Sequence, residues 1–182
     1  ISAISPGTEM LVYRGQLGAG IQTDTAIPEL ARPFGYPLVY GYACVGQVVE
    51  VGQSIDTKWV GQNVFCFHPH ESHFITRPDS LISLPADLEP ADAVFLATME
   101  TAVNFLMDGS PVIGENVALF GLGIVGLLTA ALLARLPLNG LIAFDPNPLR
   151  REKAKEVGAK RVLNPETPEG FDEVIKNPRC HL

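Results

Sequence analysis

Cysteine is scarce and badly placed for any framework. The three, Cys44, Cys66 and Cys180, are widely separated, which excludes a disulfide scaffold and the paired spacing of a zinc site. Cys44 and Cys66 fall in strand-like segments and read as small buried apolar residues rather than nucleophiles. Positive charge is also short: 13 Lys and Arg against 20 Asp and Glu leave a formal net charge of −7. With no basic patch, nucleic acid and anionic membrane surfaces are poor partners. The longest apolar stretch, around the glycines at 121–126, is broken by three glycines, a threonine and Arg135, so no segment reads as a membrane span. The 182 residues contain no signal-peptide pattern, internal repeat or low-complexity segment. These absences fit a reducing cytoplasm. A hydrophobic content of 47% is enough for one full domain or two partial ones.

What is present centres on VALFGLGIVG, residues 117–126. Val117 to Phe120 reads as a buried parallel strand and Leu127 to Leu136 as an apolar helix. Between them Gly121, Gly123 and Gly126 have the G-x-G-x-x-G spacing, with Leu122, Ile124 and Val125 filling the motif. Such a turn suits a dinucleotide pyrophosphate. Gly121 allows the tight bend, Gly123 lets backbone N–H groups approach the phosphates, and Gly126 lets helix and strand pack closely. The helix N-terminus adds partial positive charge. Asp145 ends the next apolar run, 24 positions after Gly121. A carboxylate there can accept hydrogen bonds from an adenine-ribose diol and would repel a 2′-phosphate, which favours NAD over NADP. The same residue could simply cap or turn the chain before Pro146-Asn147-Pro148. Arg150 and Arg151 could favour NADP, or form the solvated face of the next helix.

The order of signals divides the chain. Residues 1–97 are rich in short strands and turns: a turn at Ser5–Thr8, another at Gly35–Pro37, and alternation with glycine breaks over Val45–Gly52. Further strands are expected from Gly61 to Phe65, His73 to Thr76 and Leu81 to Leu84. Ala91 to Met107 reads as one helix ended by Asp108–Pro111. Residues 98–182 alternate strand and helix. Asn147 is the expected N-cap, Pro148 the first helical residue and Gly158 the stop, with a third strand at Arg161–Leu163.

Several segments together resemble the medium-chain dehydrogenase/reductase family, of zinc alcohol dehydrogenase type. They are SPGTEMLVYRG (5–15), YPLVYGYACVGQVVEVG (36–52), GQNVF (61–65), ETAVNFLMDG (100–109) and GLGIVG (121–126). The resemblance runs from residue 1 to about 165. It implies an α/β plus β fold: a partial GroES-like β-barrel domain over 1–97, then the first half of a Rossmann parallel sheet over 98–182. It also implies hydride transfer between NAD(H) and a small alcohol or carbonyl substrate bound between the domains, in a homodimer or homotetramer. By this comparison the first barrel strands, the later Rossmann half and the C-terminal return are missing. Residue 1 is Ile, and the first residues read as a strand interrupted mid-run. Residue 182 follows the glycine turn by only about two helical units, whereas the doubly wound fold has two halves. The expectation is a fragment of a longer enzyme.

The departures from the family matter as much. Its zinc members have cysteine where this chain has Pro6, Gly-His-Glu where it has Gly41-Tyr42-Ala43, and a third cysteine near Ala97. The four-cysteine structural lobe is also missing. No catalytic zinc of the usual kind is expected, because thiolate, imidazole and carboxylate are what zinc needs. GYPLVYGYACVG with SPGTE resembles the branch containing hydroxyethyl-bacteriochlorophyllide dehydrogenase. With zinc set aside, two hydroxyls are candidates for polarising the substrate oxygen. Thr8 matches a family position that contacts the substrate alcohol, and Tyr42 stands at the former His-ligand position, where a phenol can donate without ionising. Their alternatives are a turn residue and a packed aromatic. Glu9 reads as a structural hydrogen-bonding residue. His68, His70 and His73 form a further histidine cluster with ligand types that suit zinc, on a segment read as an exposed loop. Two other functions stay open: an NADPH-dependent quinone or enone reductase, and a nucleotide-binding but catalytically incomplete fragment.

Overall fold

The computed structural model describes residues 1–18, 30–31, 33 and 35–176; Cys180 lies outside them. The chain divides into two compact units, Ile1–Ala97 and Thr98–Leu182.

The first unit begins with residues 1–3 bound along the edge of β1 (Cys44–Gln47) through an isolated bridge, Ser2 to Cys44. The Ser5–Thr8 turn runs into a helix that the sequence did not suggest, α1 (Thr8–Tyr13). Its buried residues, Glu9 and Val12, are three apart and so share a helical face. β1 pairs antiparallel with β2 (Asn63–Cys66), and β2 with β3 (Leu81–Ser83). The expected Val45–Gly52 strand is shorter than the pattern indicated. Its continuation at Val48 meets Gly61 and Gln62, which share that residue's N–H and C=O. The expected His73–Thr76 strand is not formed: the segment pairs with no strand among the described residues, and Ile75 stands fully exposed, so the apolar residue that would anchor a strand face buries nothing.

The core of this unit joins Ala43, Val45 and Phe65 to Ala93, Val94 and Ala97. Phe65 is fully buried, which contributes roughly 2–3 kcal/mol relative to exposure. The single helix expected over Ala91–Met107 is two, α2 (Pro90–Ala93) and α3 (Leu96–Gly109). Ser110, at φ 43°, ends α3 with its N–H on Leu106 O and its hydroxyl on Met107 O.

The second unit is a parallel sheet of β4 (Asn116–Phe120), β5 (Gly140–Phe144) and β6 (Arg161–Leu163), in that spatial order. α4 (Ile124–Leu133) begins and ends three residues earlier than the sequence pattern suggested. It buries Ala130 with Leu119, Leu122 and Ala143, and Leu133 is fully buried too. α5 (Pro148–Glu156) is its opposite, strongly charged, with Ala154 its buried residue. α5 has the expected cap: Asn147 Oδ1 accepts from Leu149 N at 2.9 Å and Arg150 N at 3.4 Å. Gly158 at φ 109° follows its last turn. Asn147→Ala should lower unfolding stability by about 1 kcal/mol, read as a shifted urea midpoint with unchanged slope. A last helix, α6, spans Pro168–Lys176. No helix among the described residues is long and apolar enough to cross a membrane.

Candidate functional site

β4 delivers the chain into the glycine turn and α4 carries it away. Gly121, at φ 85°, sits in the left-handed region that L side chains avoid, and its N–H bonds Phe144 O at 2.8 Å, tying the turn to the end of β5. Gly126 has no room for a side chain, since a Cβ there would lie 1.9 Å from Gly121 O. Gly123 is the reverse case. It is the N-cap of α4, has no side chain to cap with, and a Cβ there would meet nothing within 4 Å. The first helical bond from this turn is Leu127 N to Gly123 O, at 2.8 Å. Ile124, Val125 and Gly126 therefore occupy the positions whose N–H groups precede the helical ladder, beside an open space. That is a cradle of the kind an anionic diphosphate fills.

Asp145 lies at the tip of β5, 2% exposed. Its Oδ2 accepts from Leu122 N at 2.7 Å and its Oδ1 from Asn147 N at 2.7 Å. Burial opposes its ionisation, but those two N–H groups and the Arg150 guanidinium, 3.6 Å from Oδ2, more than offset this and hold its carboxyl below the usual range. One carboxylate thus ties the glycine turn to Asn147, the residue that caps α5. Arg150 and Arg151 do not simply face solvent. Arg150 pairs with Asp145, and Arg151 Nη1 donates to Asp145 O at 2.9 Å and Pro146 O at 2.8 Å.

In the first unit Thr8 is exposed at the start of α1. Tyr42 is half-buried with its ring against the Ala43–Phe65 core, and among the described residues its hydroxyl has no hydrogen-bond partner. A cavity of about 750 Å³ lies elsewhere in the unit and is lined in part by Trp59, Phe74, Cys44 and Cys66; neither Thr8 nor Tyr42 lines it. Cys44 and Cys66 are buried thiols directly opposite each other on β1 and β2, and burial pushes the Cys44 thiol up.

The three histidines have separate partners. His68 stacks on Phe74 with ring centroids 3.7 Å apart, His73 is exposed on the cavity wall, and His70 turns inward to Glu9. Among the described residues no group of three or more His, Cys, Asp or Glu is arranged to hold a metal ion. The Glu9–His70 pair was not legible beforehand: 61 positions separate the two, and no periodic signal links them.

The sheet order and the glycine turn define the class of fold, a GroES-like β unit followed by the opening of a Rossmann sheet. No family model matches the chain. An Escherichia coli alcohol dehydrogenase complexed with NADH superposes with a TM-score of 0.71 at 18% identity, covering 99% of this chain and 60% of that one. Among sequence relatives, the L-threonine 3-dehydrogenase of Caldanaerobacter subterraneus is 26% identical over 163 residues, 71% of this chain and 46% of the relative. The sorbitol dehydrogenase of Bacillus subtilis is 23% identical, over 79% of this chain and 50% of the relative. The chain thus spans about half the length of the curated relatives it matches.

Proposed function

We propose that the chain belongs to an NAD-dependent oxidoreductase that moves a hydride between NAD(H) and a small alcohol or carbonyl compound without a catalytic zinc. The observation that carries this reading is the glycine turn, with an uncapped helix N-terminus, open space over Gly123 and a buried carboxylate at the tip of the next strand. The backbone of 121–126 would hold the pyrophosphate. Asp145 would take the adenine ribose while Arg150 flanks it. A bound nicotinamide supplies the hydride acceptor or donor; the chain's own work is to bind it, orient the substrate and handle the proton. Thr8 and Tyr42 would donate hydrogen bonds to the substrate oxygen. The zinc-free reading is supported by Pro6, Tyr42 and Ala97 at the family's ligand positions, none of which suits zinc. The narrower likeness to the bacteriochlorophyllide branch rests on GYPLVYGYACVG and SPGTE.

Calorimetric titration of NAD and NADP, with metal analysis of the same sample, tests the reading. NAD reduction is then followed with L-threonine and sorbitol, the alcohols named in two relatives. NAD should bind more tightly than NADP. Tyr42→Phe should lower kcat roughly 100-fold with NAD affinity unchanged. Stoichiometric zinc would sink the zinc-free mechanism, and nucleotide binding without turnover would favour an incomplete fragment. One observation favours the NADPH-dependent reductase alternative: Arg150 stands 3.6 Å from Asp145 and offsets its charge. Tighter NADP binding would select it.

A further inference from the structure

The three-stranded sheet of the first unit has two faces with different neighbours. Val45 and Phe65 point to one side, where they meet Ala93, Val94 and Ala97 in the core. Side chains alternate along a strand, so Cys44 and Cys66 belong to the other side, together with Val64 and Leu81. All four line the cavity of about 750 Å³. The two cysteines are 5% and 2% exposed, yet they stand outside the core cluster and form part of a cavity floor. Gly46, the next residue of β1 on that side, leaves the floor open beside them, since a Cβ there would meet nothing within 4 Å.

Register decides how near the two sulfurs come. Cys44 lies directly opposite Cys66. The Val45 N–H donates to Ile1 O at 2.8 Å and the Ile1 amine to Val45 O at 2.7 Å, so Val45 turns its backbone groups away from β2. Its neighbour Cys44 turns its own toward β2, which makes Cys44 and Cys66 a hydrogen-bonded pair. Opposed Cα atoms in such a pair stand about 5.5 Å apart, inside the roughly 4.4–6.8 Å that a disulfide spans. Their Cβ atoms, about 5 Å apart in such pairs, must close to about 3.8 Å. A bond that has to draw two strands together is one that a thiol reductant reopens readily. Burial pushes the Cys44 thiol up, so Cys44 rests protonated until it is attacked or attacks.

We infer that Cys44 and Cys66 are a site of reversible oxidative modification, closing to a cross-strand disulfide when hydrogen peroxide enters the cavity. The inference is independent of the hydride-transfer reading and survives its failure. One cysteine sulfur attacks a peroxide oxygen; the O–O bond breaks, water leaves and a sulfenic acid forms. The other sulfur attacks the sulfenic sulfur, the S–S bond forms, and the displaced hydroxide leaves with the thiol proton as a second water. Two thiols lose two electrons and the peroxide gains them. The opposed register supplies the second thiol before the sulfenic acid takes up more oxygen.

The test uses the full chain carrying Cys180→Ser, which leaves only these two cysteines. Folded protein is treated with hydrogen peroxide, unfolded, alkylated without reductant and digested with trypsin. Lys58 lies between the cysteines, so they fall on separate peptides that only a disulfide joins. The joined pair should appear, lighter by two hydrogens than its parts, and dithiothreitol should separate it. In urea the link should form at least roughly tenfold more slowly, because the unfolded chain no longer holds the sulfurs opposite each other. Dimedone should trap the sulfenic acid in whichever of Cys44→Ser and Cys66→Ser keeps the attacking cysteine. Two alkylated cysteines after peroxide, added oxygen without a link, or links only between chains would overturn the inference. So would linking as fast in urea as in the folded protein, or dimedone on neither variant.

Discussion

Gly126→Ala should collapse the glycine turn and with it all nucleotide binding. The added methyl would stand 1.9 Å from the carbonyl oxygen of Gly121 and 2.9 Å from its carbon, both backbone atoms. No side chain can swing away to relieve the clash. α4 would have to lift off β4, opening the layer where Leu122, Ala130 and Leu133 are wholly buried. Overpacking of this kind costs about 3 kcal/mol or more when the obstruction is rigid. A urea titration should show a lower unfolding midpoint, and calorimetry no NAD binding. Gly123→Ala is the matched control. Its methyl meets nothing within 4 Å, so stability should fall by at most about 1 kcal/mol, the worth of a helix cap. Nucleotide affinity should still drop, because the methyl occupies the space a diphosphate needs. An unchanged midpoint in Gly126→Ala would refute the packing account. Undiminished affinity in Gly123→Ala would refute the cradle.

Asp145→Ala has the second large effect, on stability and on cofactor choice together. It removes the acceptors of Leu122 N and Asn147 N at a site that is 2% exposed. Leaving a buried donor unpaired costs about 1–3 kcal/mol, so a total of about 2 kcal/mol or more is expected. Asp145→Asn keeps one carbonyl acceptor but turns an NH2 toward the other N–H, so it too should destabilise. Acid gives an independent check. The folded carboxyl is held below its ordinary value of about 3.9. Its stabilisation is therefore complete above that value and is lost as pH falls through the lower folded one. The wild type should lose its advantage over Asp145→Asn across that acid window. A constant gap between the two would show that the charge contributes nothing. The NAD-to-NADP affinity ratio should fall in both variants, because the repulsion of a 2′-phosphate goes with the charge; an unchanged ratio would remove Asp145 from cofactor choice.

Much of the second unit was legible because its signals are local. Asn147, Pro148 and Gly158 mark both ends of α5 within a few residues of where they act, and the bonds that Asn147 makes reach only two and three residues ahead. The β4–turn–α4 passage is equally short-range, so three glycines and two apolar runs were enough to place it. Arg161–Leu163 was legible because the half-buried Val162 and Leu163 follow the Gly158 stop closely, and a short strand needs little more than that.

The first unit resisted the same reading. His73–Thr76 has the residues of a strand but pairs with none among the described residues, and a sequence does not show which segments find a partner. Ser5–Thr8 has the residues of a turn, yet α1 follows because it buries Val12 and brings Glu9 to its partners, the Ser5 N–H and His70. The sequence alone determined the two-part order of the chain, the glycine turn and the caps, since each depends on neighbours a few residues away. Tertiary structure alone decided that Asp145 ties the turn to α5, that Gly41 makes room for an imidazole, and that Glu9 meets His70. Those contacts join residues 23 to 61 positions apart. Only the folded backbone supplies the burial that makes an unpaired carboxylate too costly to leave alone.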